Sequence, residues 1–141
     1  MRRWTDDELN AIYDRTSGKC HLCHMKLAWS NYGKSGRRAP WHVDHSVPIA
    51  RSGADDLRNA YAACIHCNCS KQDGTNRSVR ARNGVRRAPL SVGKRGEARF
   101  WNGAGGAGVG ALIGGALGGR AGAWIGGAIG AALGANADPD K

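Results

Sequence analysis

The sequence predicts an α+β fold: a small mixed domain over residues 1–75, then a basic segment over 76–101, a Gly/Ala tract over 102–137 and a short polar tail at 138–141. Three observations carry the prediction. A helix signature opens the chain, a short strand-like run sits at Trp41–Asp44, and two C-x-x-C pairs bracket the middle of the domain. At 141 residues there is room for one modest globular core. The apolar fraction of 41% overstates that core, because much of it is alanine beyond Asn102.

The first helix is predicted over residues 6–17. Thr5 and Glu8 have the spacing of a capping box, Trp4 and Leu9 occupy the two staple positions, and Asp6 and Asp7 suit the positive helix end. Leu9, Ile12 and Tyr13 share one face, and Gly18 supplies the stop. Residues 30–40 are rich in turn formers and read as an exposed loop. After the strand at 41–44, Pro48 and Gly53 keep the chain irregular, and Asp55 or Asp56 is placed to cap a short helix carrying Asn59. A second helix is expected to start near Cys67 and run past Lys71. From Arg77 to Arg99 no hydrophobic period is visible, so this stretch reads as a linker or arm.

The net charge of +10 is unevenly spread. Residues 1–75 hold 11 basic against 8 acidic side chains, residues 76–101 hold 8 against 1, and the remainder balances. Such a strip suits a polyanion, either nucleic acid or an anionic membrane, and composition leaves both open. The N-terminal residues form no apolar run, so no secretory signal is expected and a reducing cytoplasm is the consistent setting.

Paired C-x-x-C units favour a metal over disulfides. Cys20, Cys23, Cys64 and Cys67 are therefore expected to bind one structural Zn2+ through four thiolates, clipping the 40 residues between the pairs. Cys69 is the odd one out and reads as a small buried or free thiol. His21, His24 and His66 flank the knuckles and rank behind the cysteines as ligands.

Between the knuckles lie Trp41-His42-Val43-Asp44-His45-Ser46-Val47-Pro48, then Gly53, Asp56 and Asn59, and finally Cys64-Ile65-His66-Cys67-Asn68-Cys69-Ser70-Lys71. This order resembles the four-cysteine branch of the HNH endonuclease family: C-x-x-C, D-H-x-x-P, a Gly/Asp turn with Asn, and C-x-x-C-N-x-x-K. It covers roughly residues 18–75. The resemblance implies a ββα-metal finger, in which a hairpin and a helix hold one catalytic divalent ion. It also implies that Asp44 ligates the ion, that His45 is the general base, that Asn68 supplies another ligand, and that Asn59 orients the loop around the base. Ala60 stands where the family commonly has Leu.

Elementary chemistry is compatible with those roles. Hydrolysis of a phosphodiester needs a deprotonated water and a cation on the developing charge. An imidazole with a pKa of about 6.5 suits the base. Neighbouring strand residues point to opposite faces, so Asp44 and His45 must divide the work. Oxygen ligands favour Mg2+ or Mn2+ over zinc there. DNA is the expected partner, with Lys71, Arg77, Arg80, Arg82, Arg86 and Arg87 as the expected contacts. His42 shares a strand face with Asp44 and reads as structural. Two other functions compete: a zinc-stapled module that binds DNA without cutting it, and a membrane-associated nuclease effector.

Residues 103–137 contain 14 Gly and 11 Ala, with Arg120 the single charge. From Gly106 to Gly134 a glycine recurs at every fourth position, a period similar to that of glycine-zipper membrane segments. One straight helix of this length would span about 52 Å, more than a hydrocarbon core of about 30 Å. The tract is therefore expected to fold back near Gly118-Gly119-Arg120 into a helical hairpin, with Arg120 at its tip, that self-associates or enters a membrane.

Overall fold

The computed structural model describes residues 3–140, with Gly118 and Arg120 in backbone only. The chain divides into two compact units, Met1–Val92 and Gly93–Lys141.

Helix α1 spans Asp6–Asp14 and carries the full capping box: the Glu8 N–H donates to Thr5 Oγ1 and the Thr5 N–H to Glu8 Oε2. It buries Leu9 and Ile12. It ends earlier than residue 17 because the chain turns left-handed at Ser17 and Gly18 (φ 52° and 66°), where the Gly18 N–H returns to the Tyr13 carbonyl at 3.0 Å. A Cβ on Gly18 would stand 2.7 Å from the Tyr13 ring, so the stop also depends on close packing.

Strand β1, Trp41–His45, pairs antiparallel with β2, Ala60–Cys64, in the register Trp41↔Cys64, Val43↔Ala62 and His45↔Ala60. Trp41 is fully buried among Tyr13, Trp29 and Tyr32, whose ring centroids lie 4.8–5.9 Å away. Ala60, Ala62 and Ala63 are fully buried too, and their small side chains let neighbouring elements approach the sheet. The helix expected around Asn59 is absent. Asp56 Oδ1 instead accepts from the backbone N–H groups of Arg58 and Asn59, making a turn that leads straight into β2.

Helix α2 spans Ile65–Lys71. It starts two residues ahead of the expected start because Cys64 itself caps it, its Sγ accepting from the Cys67 N–H at 3.4 Å, and it stops at Lys71 instead of running past it because the backbone turns to φ 49° at Gln72. Helix α3, Asn76–Arg82, replaces the first part of the expected linker. Thr75 caps it through the Ser78 N–H, and Val79 is buried. Asn76 reaches Ser46, and Asn83, just past the helix, reaches the Leu22 carbonyl. One apolar side chain and these bonds are enough to draw a basic stretch into the domain, whose unit therefore ends at Val92 rather than at residue 75.

In the second unit, helix α4 runs Val92–Asn136 and reverses at Gly119, the glycine with φ 61°. The reversal shows in the close approaches along the tract. Residues 106 and 130 would lie about 36 Å apart on a straight helix. Yet a Cβ on Gly106 would stand 2.1 Å from the Gly130 carbonyl oxygen, and the same holds for Gly110 with Gly126 at 2.0 Å and Gly114 with Gly122 at 2.1 Å. Only glycine allows backbones this close. At the open end Arg95 pairs with Asp138 at 3.3 Å and with Asp140. The place expected for the Arg120 side chain lies outside the described residues. Among the described residues no helix is long and apolar enough to cross a membrane.

Candidate metal centre and active site

The two knuckles bring Cys20, Cys23, Cys64 and Cys67 together, with all four sulfurs within 4.8 Å of one another. Cys23 Sγ and Cys64 Sγ are 3.9 Å apart. A tetrahedral zinc with Zn–S bonds of about 2.3 Å needs sulfurs about 3.8 Å apart, so the donor set fits the ion. The thiol chemistry agrees. Hydrogen bonds from Cys20 and Cys64 pull the Cys23 thiol down to about 2, while Cys64 is pushed up chiefly by its bond to Cys20 and Cys67 is raised to about 12 by burial. Four adjacent thiols cannot all ionise until a cation compensates them. Cys69 is exposed and outside the group. None of the three flanking histidines belongs to it.

The second cluster lies at the end of the hairpin. Asp44 and His45 from β1 and Asn68 from α2 line one cleft of about 280 Å³, joined there by Gln72 and Asp73. Its oxygen donors, carboxylate and amide, suit a hard divalent ion. Asp44 and His45 divide as strand geometry requires. The Asp44 carboxylate is buried, whereas His45 is partly open and bonds through Nε2 to Asp55 Oδ1 at 2.9 Å. Asn59 lies outside the cleft. Its side chain accepts from the Val47 N–H at 2.8 Å and donates to the carbonyls of Val47 (2.8 Å) and Ala54 (2.9 Å), fastening the loop that follows His45.

Two residues expected to meet nucleic acid sit inside the fold instead. Lys71 is 3% exposed, and its ammonium bonds Asp44 Oδ1 at 2.9 Å, Asp44 Oδ2 at 2.8 Å and the His45 carbonyl. A lysine buried this deeply needs a carboxylate, and the unpaired Asp44 would need a cation. Arg80 donates from Nε to the His21 carbonyl at 2.9 Å and faces His21 Nδ1 at 3.2 Å, and burial lowers its pKa. Arg77, Arg82, Arg86 and Arg87 are exposed.

Sequence reasoning missed two members of the site. His21, weighed only as a zinc ligand, is fully buried with Nε2 2.7 Å from Asp44 Oδ2. Burial is the main reason its pKa falls. Asp55, weighed only as a helix cap, holds His45. No local pattern marks either pairing, since each joins residues 10 or more apart.

The model of the HNH endonuclease family matches residues 20–74, a span that takes in both knuckles and the whole cleft. No curated protein and no solved structure matches the chain.

Proposed function

From an HNH endonuclease domain at residues 20–74, we propose that the chain is a metal-dependent endonuclease that hydrolyses DNA, with His45 as general base and Asp44 and Asn68 holding the divalent ion. The observation that carries this reading is the convergence of those three side chains on one cleft. A module that only bound DNA would keep Asp44 as the partner of buried Lys71 and His21 but would need neither His45 nor Asn68 beside it.

Asp55 accepts from His45 Nε2, which leaves Nδ1 to take a proton from water. Asn59 keeps the loop after His45 from drifting, so the ring stays aimed. A divalent ion on the Asp44 and Asn68 oxygens would supply charge stabilisation to the scissile phosphate. Four thiols gathered for a metal favour a reducing, cytoplasmic setting.

DNA binding is assigned to Arg77, Arg82, Arg86 and Arg87, because Lys71 and Arg80 are engaged within the fold. Replacing all four by Gln is expected to flatten the dependence of log K on log salt by roughly 0.9 for each phosphate no longer neutralised, with little change in saturated cleavage. Fluorescence anisotropy on a labelled duplex between about 50 and 200 mM salt measures it. An unchanged slope would remove the arm from the interface.

A second role is supported for the hairpin. Its glycines are spent on each other, while Leu112, Leu117, Trp124 and Leu133 point outward and are 70–86% exposed. An apolar surface of this kind favours self-association. The full chain is expected to sediment as a dimer or larger at micromolar concentration and the Leu112→Glu/Leu133→Glu variant as a monomer. A monomeric wild type would contradict this.

A further inference from the structure

We infer that His21, the residue inside the first cysteine knuckle, is a positioning residue that fixes the Asp44 carboxylate for the catalytic ion and so ties that centre to the zinc site. The inference rests on the nuclease reading above and deepens it.

His21 is held from every side. It follows Cys20 directly, and its backbone N–H donates to the Ala62 carbonyl at 2.9 Å, pinning the knuckle to β2. Its ring stacks on Tyr61, centroid to centroid 5.1 Å with the planes 24° apart, and Tyr61 is the register partner of Asp44 across the hairpin. An aromatic hydrocarbon would satisfy that stack equally well. The nitrogens therefore need their own explanation, since a buried polar ring costs free energy unless it is bonded.

The bonds fix the tautomer. An arginine only donates, so His21 Nδ1, 3.2 Å from the Arg80 guanidinium, must accept. The proton then sits on Nε2 and is given to Asp44 Oδ2 at 2.7 Å. Lys71 holds both carboxylate oxygens from another side. A carboxylate offers about four lone-pair sites. Three are taken, and the one left is on Oδ1. Asp44 is thus locked in rotation and presents a single oxygen to an ion. The lock begins at Cys20, so the zinc knuckle sets the orientation of a ligand in the neighbouring centre. Partners that orient metal-ligating side chains typically control affinity by about 10–100-fold.

The test uses the full zinc-loaded chain and Mn2+ titration followed by electron paramagnetic resonance, with plasmid cleavage alongside. His21→Phe keeps the stack on Tyr61 and removes the donor. It is expected to retain one zinc per chain and the wild-type circular dichroism while Mn2+ affinity falls about 10–100-fold. The cleavage defect should then appear as a higher Mn2+ requirement more than as a lower saturated rate. His21→Gln, which restores an N–H donor, should recover most of the affinity. Should His21→Phe fail to hold zinc, His21→Leu, which also lacks the donor but fills less space, decides by the same Mn2+ titration. Wild-type Mn2+ affinity in a folded, zinc-loaded His21→Phe or His21→Leu overturns the inference and leaves the nuclease reading standing, and so does loss of zinc from both, which would assign His21 to the fold of the knuckle alone. A wild-type chain that neither binds Mn2+ nor cuts DNA overturns both.

Discussion

His45→Ala is expected to slow plasmid cleavage by about 10²–10⁴-fold, the usual contribution of a general base, while the fold and the zinc content stay as they are. The reason lies in what the ring touches. His45 stands outside the buried cluster, and its side chain meets Asp55 and, at 6.2 Å between centroids, Trp4. Its backbone carbonyl, which receives Lys71, survives the substitution. Removing the imidazole therefore takes away a proton acceptor and little packing. Single-turnover rates at saturating metal, compared with the wild type, read the effect without interference from DNA affinity. A variant that cuts at the wild-type rate would take His45 out of the base role.

Removal of zinc is expected to unfold residues 1–92 altogether. The buried cluster of that unit holds few large side chains, chiefly Leu9, Ile12, Leu22, Leu27, Trp41 and Val79, and it is completed by three alanines and by Cys20, Cys64 and Cys67 themselves. Small cores of this kind seldom supply more than about 3–5 kcal/mol. Structural zinc contributes about 10–16 kcal/mol of binding free energy at neutral pH, most of it realised as folding. The metal term is the larger, so its loss decides the outcome. Cys64→Ser should be at least as damaging, since that sulfur also caps α2. Elemental analysis should find one zinc per folded chain, and chelation should abolish the near-ultraviolet signal of the Trp41 cluster. A folded, zinc-free protein would contradict the prediction.

What was legible in the sequence was what local chemistry determines. Thr5 and Glu8 announce the start of α1, the cysteine spacing announces the staple, and the fourfold glycine period anticipates the close approach of two helical arms, realised by the turn at Gly119. The candidate site follows the same pattern: Asp44, His45, Asn59 and Asn68 belong to compact motifs, and the structure brings Asp44, His45 and Asn68 to one cleft and places Asn59 on the loop after His45, while the catalytic roles remain proposals. Elements stabilised from a distance were not readable. Strand β2, Ala-Tyr-Ala-Ala-Cys, has no alternation and exists because β1 and α1 pack on it. Helix α3 has a single buried apolar side chain, and its anchors, Arg80 on His21 and Asn76 on Ser46, cross 59 and 30 positions of chain. Charge misled in the same way. Lys71 looked like a phosphate ligand because nothing within the sequence says that Asp44, 27 residues earlier, will claim it.

The cleft lined by Asp44, His45 and Asn68 is proposed to cut DNA with a divalent ion. The direct measurement is incubation of supercoiled plasmid with the full chain and Mg2+ or Mn2+, repeated with excess chelator and with His45→Ala. Nicked or linear plasmid in the first reaction, with supercoiled plasmid kept in the other two, is the predicted result. Plasmid that stays supercoiled with the wild-type chain and either metal, while the protein binds it, would contradict the account and leave a zinc-stapled DNA-binding module in its place.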